Sequence, residues 1–215
     1  MSSEGQRAGS DPHRPAERAH PRLVERPPEP VEGRSSAGSD RTPPGFERGG
    51  PIVLVGAPGA GKSTVGALLA ESLGTEFTDA DAVIEERAGK PIAEIFADDG
   101  ETTFRQLEEE TTAALLRRTG VLALGGGAVL SSATRSALRG HRVVWLRVGV
   151  PAALHRVGLD TARPLLLGNV RGRLIRLLGE RKPLYDEVAE VRVDTDDASP
   201  EDVVERIVRI WPPSE

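Results

Sequence analysis

Gly56-Ala57-Pro58-Gly59-Ala60-Gly61-Lys62-Ser63 reads G-x-x-x-x-G-K-[ST], the pattern of a phosphate-binding loop. Working outward, residues 51–55 (P-I-V-L-V) form a short apolar run with the look of a buried strand, and 64–73 place apolar residues at helical spacing. Strand, glycine loop and helix in that order are the context the motif requires. The glycines let the backbone curl with its N–H groups pointing inward, and the helix N-terminus adds a partial positive charge. Lys62 can reach terminal phosphates, and the Ser63 hydroxyl suits Mg²⁺. The motif locates a phosphate donor and is silent about the acceptor.

The chain has 215 residues, enough for one ordinary domain with a tail. A net charge of −5 provides no electrostatic footprint for nucleic acid or an anionic membrane. Lys62, Lys90 and Lys182 are the only lysines, so the abundant arginine reflects general composition and is no functional signal by itself. The absence of Cys excludes disulfides, thiolate catalysis and cysteine zinc sites. His13, His20, His141 and His155 are scattered and make no metal-ligand spacing. No apolar run approaches a membrane span, and the first residues lack a signal-peptide core. The expectation is a soluble cytoplasmic protein.

Residues 1–50 hold eight of the seventeen prolines, equal numbers of acidic and basic residues, and no apolar periodicity. Such a stretch cannot bury enough surface to offset its ordering entropy, so 1–50 is expected to be a disordered N-terminal extension and 51–215 the folded domain. From residue 51 onward strand and helix patterns alternate, which predicts a parallel sheet with helices on both faces. The expected strands are 51–55, 76–79, 121–124, 143–148 and 190–193. The expected helices are 62–73, 81–88, 91–97, 101–118, 131–138, 151–157, 170–182 and 200–210.

Several clusters lie where ligands collect in open α/β sheets, at the carboxyl ends of strands. Asp79 and Asp81 flank such an end; if the chain stays extended they point to opposite sides and can serve different partners. Alternatively Asp81 simply caps the helix 81–88. Arg105 and Glu108 are three apart on a helix and face each other, which on spacing alone favours a surface ion pair of small value over a guanidinium held for bidentate carboxylate recognition. Gly125-Gly126-Gly127 ends a strand and allows a ligand to approach the backbone. Arg163, in a stretch of weak periodicity, and Arg156, one helix earlier, suit the charge of a moving phosphoryl group. Pro183 should end or kink its helix after Lys182. Tyr185 reads as a packed ring with a hydrogen-bonded tip, and spacing alone assigns nothing to Arg181.

Taken together, G-A-P-G-A-G-K-S-T at 56–64, D-A-D at 79–81, G-E-T-T-F-R-Q-L-E at 100–108, L-G-G-G-A-V at 124–129, R-P-L-L at 163–166 and E-R-K-P-L-Y at 180–185 resemble the shikimate kinase family, in order and spacing, across 51–211. The resemblance implies a three-layer α/β/α P-loop kinase with a five-stranded parallel sheet of order 2-3-1-4-5. It implies transfer of the ATP γ-phosphoryl group to the 3-hydroxyl of shikimate, on the route to chorismate and the aromatic amino acids. By the same resemblance Gly59, Ala60, Gly61, Lys62, Ser63, Thr64, Arg156 and Arg163 bind ATP, with Arg156 near the adenine and Arg163 on a closing lid. Ser63 and, through water, Asp79 hold Mg²⁺. Asp81 meets the substrate hydroxyls, Arg105 and Arg181 hold the carboxylate, and the glycines 125–127, Gly126 above all, contact substrate. Lys62, Asp81 and Arg163 would then be the catalytic groups, with Glu108 steadying Arg105. The implied partners are ATP and shikimate, without nucleic acid or membrane, acting on a monomer. The family's adenine loop falls at 195–199, where T-D-D-A-S offers no assignable side-chain contact. Two rivals are a gluconate kinase-like enzyme of the same fold and a non-catalytic nucleotide-binding module.

Overall fold

Five short strands pair in parallel in the order β2-β3-β1-β4-β5: Ile52–Val55 (β1), Phe77–Asp79 (β2), Val121–Ala123 (β3), Arg142–Arg147 (β4) and Val191–Asp194 (β5). A computed structural model describes residues 50–156 and 170–212 of the chain; residues 1–49 of the expected N-terminal extension, and Arg163, lie outside the described residues. β1 is central, with Val53 in register with Leu122 of β3 on one side and Val143 of β4 on the other. Its I-V-L-V sequence is buried throughout because a parallel sheet is covered on both faces, so alternation gives way to a continuous apolar run.

The helices are Lys62–Ser72 (α1), Ala80–Ala88 (α2), Ile92–Asp98 (α3), Gly100–Leu115 (α4), Ser132–Ala137 (α5), Val150–Arg156 (α6), Val170–Val188 (α7) and Pro200–Ile210 (α8), with a 3₁₀ turn at Ala128–Leu130. One face of the sheet packs Ile52, Leu54, Val144 and Leu146 against Val65 and Leu69 of α1 and Val203 and Ile207 of α8. The other packs Val53, Val55, Leu122 and Trp145 against Leu115 of α4, Leu138 after α5 and Tyr185 of α7. A smaller cluster, Ile84, Ile95 and Phe104, ties α2, α3 and α4 together. Burying each such side chain contributes about 1.5–3 kcal/mol, so a change such as Leu54→Ala would cost about 2–5 kcal/mol. α8 starts cleanly because Ser199 and Asp202 form a reciprocal capping box with Pro200 in the first turn. Among the described residues, no helix is long and apolar enough to cross a membrane.

Two expectations are corrected. α7 does not end at Lys182; it runs through Pro183 to Val188. Proline removes the bond to the carbonyl four residues earlier, here Gly179. Both Gly179 and Pro183 are exposed, so water can satisfy that carbonyl while the opposite, buried face keeps the helix against the sheet. The second correction concerns Asp79-Ala80-Asp81. The chain does not stay extended: Asp79 is the N-cap of α2, its Oδ1 accepting the Asp81 N–H at 3.0 Å, and Asp81 lies in the first helical turn rather than at the cap.

Candidate active site

The site is built at the carboxyl ends of β1, β2 and β3. The loop after β1 leaves the sheet at its switch point, where the chain has neighbours on either side and a crevice opens. It turns through Gly59 and Gly61, both at positive φ (79° and 86°), into the N-terminus of α1. Lys62, half-buried, folds back over the loop and donates from Nζ to the carbonyls of Gly56 at 2.9 Å and Ala57 at 3.2 Å. Burial holds its pKa below the usual lysine value, against the pull of the Asp81 and Asp79 carboxylates. Ser63 and Thr64 are exposed at the helix start, where backbone N–H groups lack intrahelical partners.

The Ser63 hydroxyl donates to Asp79 Oδ2 at 2.7 Å, joining the loop to the end of β2. A hydroxyl and a carboxylate side by side are the hard oxygen donors Mg²⁺ prefers. Among the described residues no group of three or more His, Cys, Asp or Glu is gathered to hold a metal. Two such donors suit an ion that takes most of its other ligands from water and phosphate, as Mg²⁺ does.

The opposite wall is organised by the three-glycine turn after β3. Gly125 lies under two carboxylates: a β-carbon there would sit 2.6 Å from Asp81 Oδ1 and 2.8 Å from Glu108 Oε1, so any side chain would displace one or both. Gly127 lies under Arg105, whose Nη1 would be 2.4 Å from a β-carbon at that position. Between them the Gly126 carbonyl accepts Nη1 of Arg181 at 2.9 Å and the hydroxyl of Tyr185 at 2.6 Å. Thus α2, α4 and α7 each deliver a polar side chain to one turn, and two guanidinium groups, Arg105 and Arg181, flank it.

Arg105 donates from Nη1 to Glu108 Oε2 at 2.7 Å and leans on Glu101 from the same helix. This is not the surface ion pair that spacing favours. Glu108 is only 4% exposed, because α4 turns this face onto the sheet and the glycine turn. Burial raises the Glu108 pKa, and the Arg105 hydrogen bond and charge oppose it. Burial, and next the Asp79 carboxylate, raise the Asp81 pKa, while Lys62 pulls it down. Asp81 is thus a partly desolvated carboxylate facing both the loop lysine and the glycine turn, well placed to accept a hydrogen bond from a hydroxyl.

Arg156, at the end of α6, spans the other end of the loop. It donates to the Gly59 carbonyl at 3.3 Å, to Thr195 Oγ1 at 3.0 Å, and to the carbonyls of Thr195 and Asp196. Thr195 is buried and donates its own hydroxyl to the Arg147 carbonyl at 2.9 Å. A cleft of about 140 Å³ opens here, lined by Thr64, Arg156, Thr195, Ala198 and Pro200 among others. Within 195–199, where the sequence assigns no side chain to the adenine, the Thr195 hydroxyl is turned to Arg156. Tyr185 is the packed ring with a hydrogen-bonded tip that its sequence context predicts; its position four residues after Arg181, one helical turn along the same face, brings that tip to the same carbonyl.

A parallel sheet in this order, with a glycine loop and lysine at the switch point and a polar acceptor wall facing them, defines a P-loop kinase. A family model described as Shikimate kinase matches residues 58–211. The chain is 55% identical over 161 residues to a shikimate kinase of Thermobifida fusca, covering 74% of this chain and 94% of that protein. It is 53% identical over 162 residues to one of Mycobacterium avium, covering 74% and 92%. Its fold is similar to that of shikimate kinase from Acinetobacter baumannii in complex with shikimate, with TM-score 0.70 and 41% identity over 77% of this chain and 94% of the other. It is likewise similar to shikimate kinase from Aquifex aeolicus, with TM-score 0.64 and 31% identity over 74% and 94%. The chain belongs to the shikimate kinase family.

Proposed function

We propose that this chain transfers the γ-phosphoryl group of ATP to the 3-hydroxyl of shikimate, giving shikimate 3-phosphate and ADP in the biosynthesis of aromatic amino acids. The observation that carries the acceptor is the convergence of Arg105 and Arg181 on the Gly126-Gly127 turn, with Asp81 beside Gly125. A small polyhydroxy acid needs guanidinium groups for its carboxylate and acceptors for its hydroxyls, and both stand across the crevice from Lys62.

In this assignment the backbone from Gly59 to Thr64 cradles the ATP phosphates. Lys62 exchanges its loop carbonyls for phosphate oxygens and neutralises the transferred group, with Arg163 doing so from outside the described residues. Ser63 and Asp79, through water, hold Mg²⁺, which when bound neutralises phosphate charge. Arg156 borders the adenine. Arg105 and Arg181 fix the shikimate carboxylate, the glycines 125–127 let the ring approach the backbone, and Asp81 orients the attacking hydroxyl and accepts its proton. Positioning and charge neutralisation supply most of the rate in such a transfer. The catalytic unit is residues 51–215, with 1–50 outside it, and it works as a cytoplasmic monomer.

The test is ADP release from Mg-ATP with shikimate, gluconate or AMP as acceptor. Release stimulated by shikimate is expected. Stimulation by gluconate or AMP instead would reassign the acceptor, and release with none of them would remove the kinase reading. Light scattering of the purified chain checks the monomer.

A further inference from the structure

Tyr185 is the only tyrosine and is 1% exposed, which by itself describes a core residue. Its ring stacks on Trp145 of β4, with centroids 5.8 Å apart and planes 28° apart. Its hydroxyl, however, is not satisfied by some nearby core carbonyl. It donates at 2.6 Å to the Gly126 carbonyl, the same oxygen that accepts Arg181 at 2.9 Å. A carbonyl oxygen has two lone pairs, and here two side chains from one face of α7 occupy them. Tyr185 follows Arg181 by one helical turn, and α7 remains helical between them despite Pro183. Burial pushes the phenol up to about 12, against the pull of neighbouring Arg181, so it remains a donor at any working pH.

We propose that Tyr185 is a positioning residue for the acceptor site: its hydroxyl, together with Arg181, holds the Gly126 carbonyl and so sets the glycine turn and the Arg181 guanidinium in the geometry that receives the acceptor carboxylate. This rests on the shikimate reading above. The physical reason is conformational. A run of three glycines has the widest backbone freedom of any tripeptide, and a substrate that binds against it must otherwise meet the cost of ordering it. Two donors on the central carbonyl fix that peptide plane before substrate arrives. They also restrain Arg181 through the same oxygen, so losing one donor loosens both the turn and the arginine.

Tyr185→Phe keeps the ring and its stacking on Trp145 and removes only the hydroxyl. The expected result is a rise of about 5- to 20-fold in KM for shikimate, from the loss of one buried hydrogen bond, with KM for ATP unchanged within twofold and a smaller change in kcat. Trp145→Phe, which alters the packing of the same ring and leaves the hydroxyl, should lower the thermal midpoint while leaving the ratio of the two KM values unchanged. An unchanged shikimate KM in Tyr185→Phe would overturn the proposal. So would a parallel rise in both KM values, or the same KM ratio in the two variants, since those outcomes describe a packing residue. The functional reading fails separately: the unaltered chain would then show no shikimate-stimulated ADP release before any variant is compared.

Discussion

Ser63 and Asp79 lie sixteen residues apart in the chain and 2.7 Å apart in the fold, hydroxyl to carboxylate. Asp79 is thereby committed on both oxygens, one to Ser63 and the other to the Asp81 N–H that starts α2. The same carboxylate thus links the phosphate loop, the cap of a helix and the electrostatics of the acceptor wall.

One prediction concerns pH. After burial, the Asp79 charge is the largest influence raising the Asp81 pKa. If Asp81 must be ionised to accept the hydroxyl proton, kcat/KM should fall as pH drops through that raised pKa. Asp79→Asn removes the neighbouring charge and should move this acid limb to lower pH. It should also raise the Mg²⁺ concentration needed for half-maximal rate by about 10- to 100-fold. A pH profile at saturating Mg²⁺ checks the first part; a limb that stays put or moves upward would separate Asp81 from Asp79.

Asp81 should cost stability while serving catalysis. Its folded pKa is raised above the unfolded value, so between the two the native state binds more protons than the unfolded chain. Stability therefore falls as pH rises through that window, and the cost is fully present above it. Asp81→Asn should abolish at least about 99% of turnover, as expected for a group acting in proton transfer, yet raise the thermal midpoint by about 2–4 °C near pH 8. The gain should shrink toward pH 4. A melting series across pH that shows a loss of stability at pH 8 would reverse the assignment of Asp81 as an electrostatic compromise.

Arg105→Ala removes one of the two guanidinium groups over the glycine turn and leaves the Glu108 carboxylate buried without its partner. KM for shikimate should rise by about 10- to 100-fold, the value of hydrogen bonds to a charged group, with KM for ATP within about threefold, since the phosphate loop is untouched. Initial-rate kinetics with each substrate varied in turn provide the check; equal changes in the two KM values would place Arg105 outside the acceptor site.

The Arg156–Thr195 contact predicts the opposite selectivity. Thr195→Val keeps the buried shape and removes the hydroxyl that accepts Arg156 and donates to the Arg147 carbonyl. KM for ATP should rise by about 3- to 10-fold, with KM for shikimate unchanged. Fluorescent-nucleotide titration of the variant gives an independent reading, and unaltered nucleotide affinity would leave Thr195 a core residue only.

How much of this was legible in the chain follows from the range of the interactions involved. The 56–63 loop, its flanking strand and helix, and the β-α alternation are local: each depends on residues within one element or its immediate neighbours, and glycine, apolar runs and periodicity report them directly. Family resemblance extended that to sheet order and to the acceptor residues one by one. Local rules misplaced the end of α7, because the cost of Pro183 depends on whether the freed Gly179 carbonyl meets water or protein. They likewise undervalued Arg105 and Glu108, since i,i+3 spacing is the same for an exposed pair and a buried one. The tertiary structure alone decided which groups share an atom: that Asp81 and Glu108 crowd Gly125, that Arg181 and Tyr185 meet on the Gly126 carbonyl, and that Arg156 is held by Thr195. Those contacts join residues 17 to 59 positions apart, and such distances close only when the sheet brings the carboxyl ends of its strands together. The amino-acid sequence by itself determined a phosphate-binding α/β protein with a recognisable set of polar residues. Packing against both faces of the sheet determined which of those residues are desolvated, paired and aimed at one crevice.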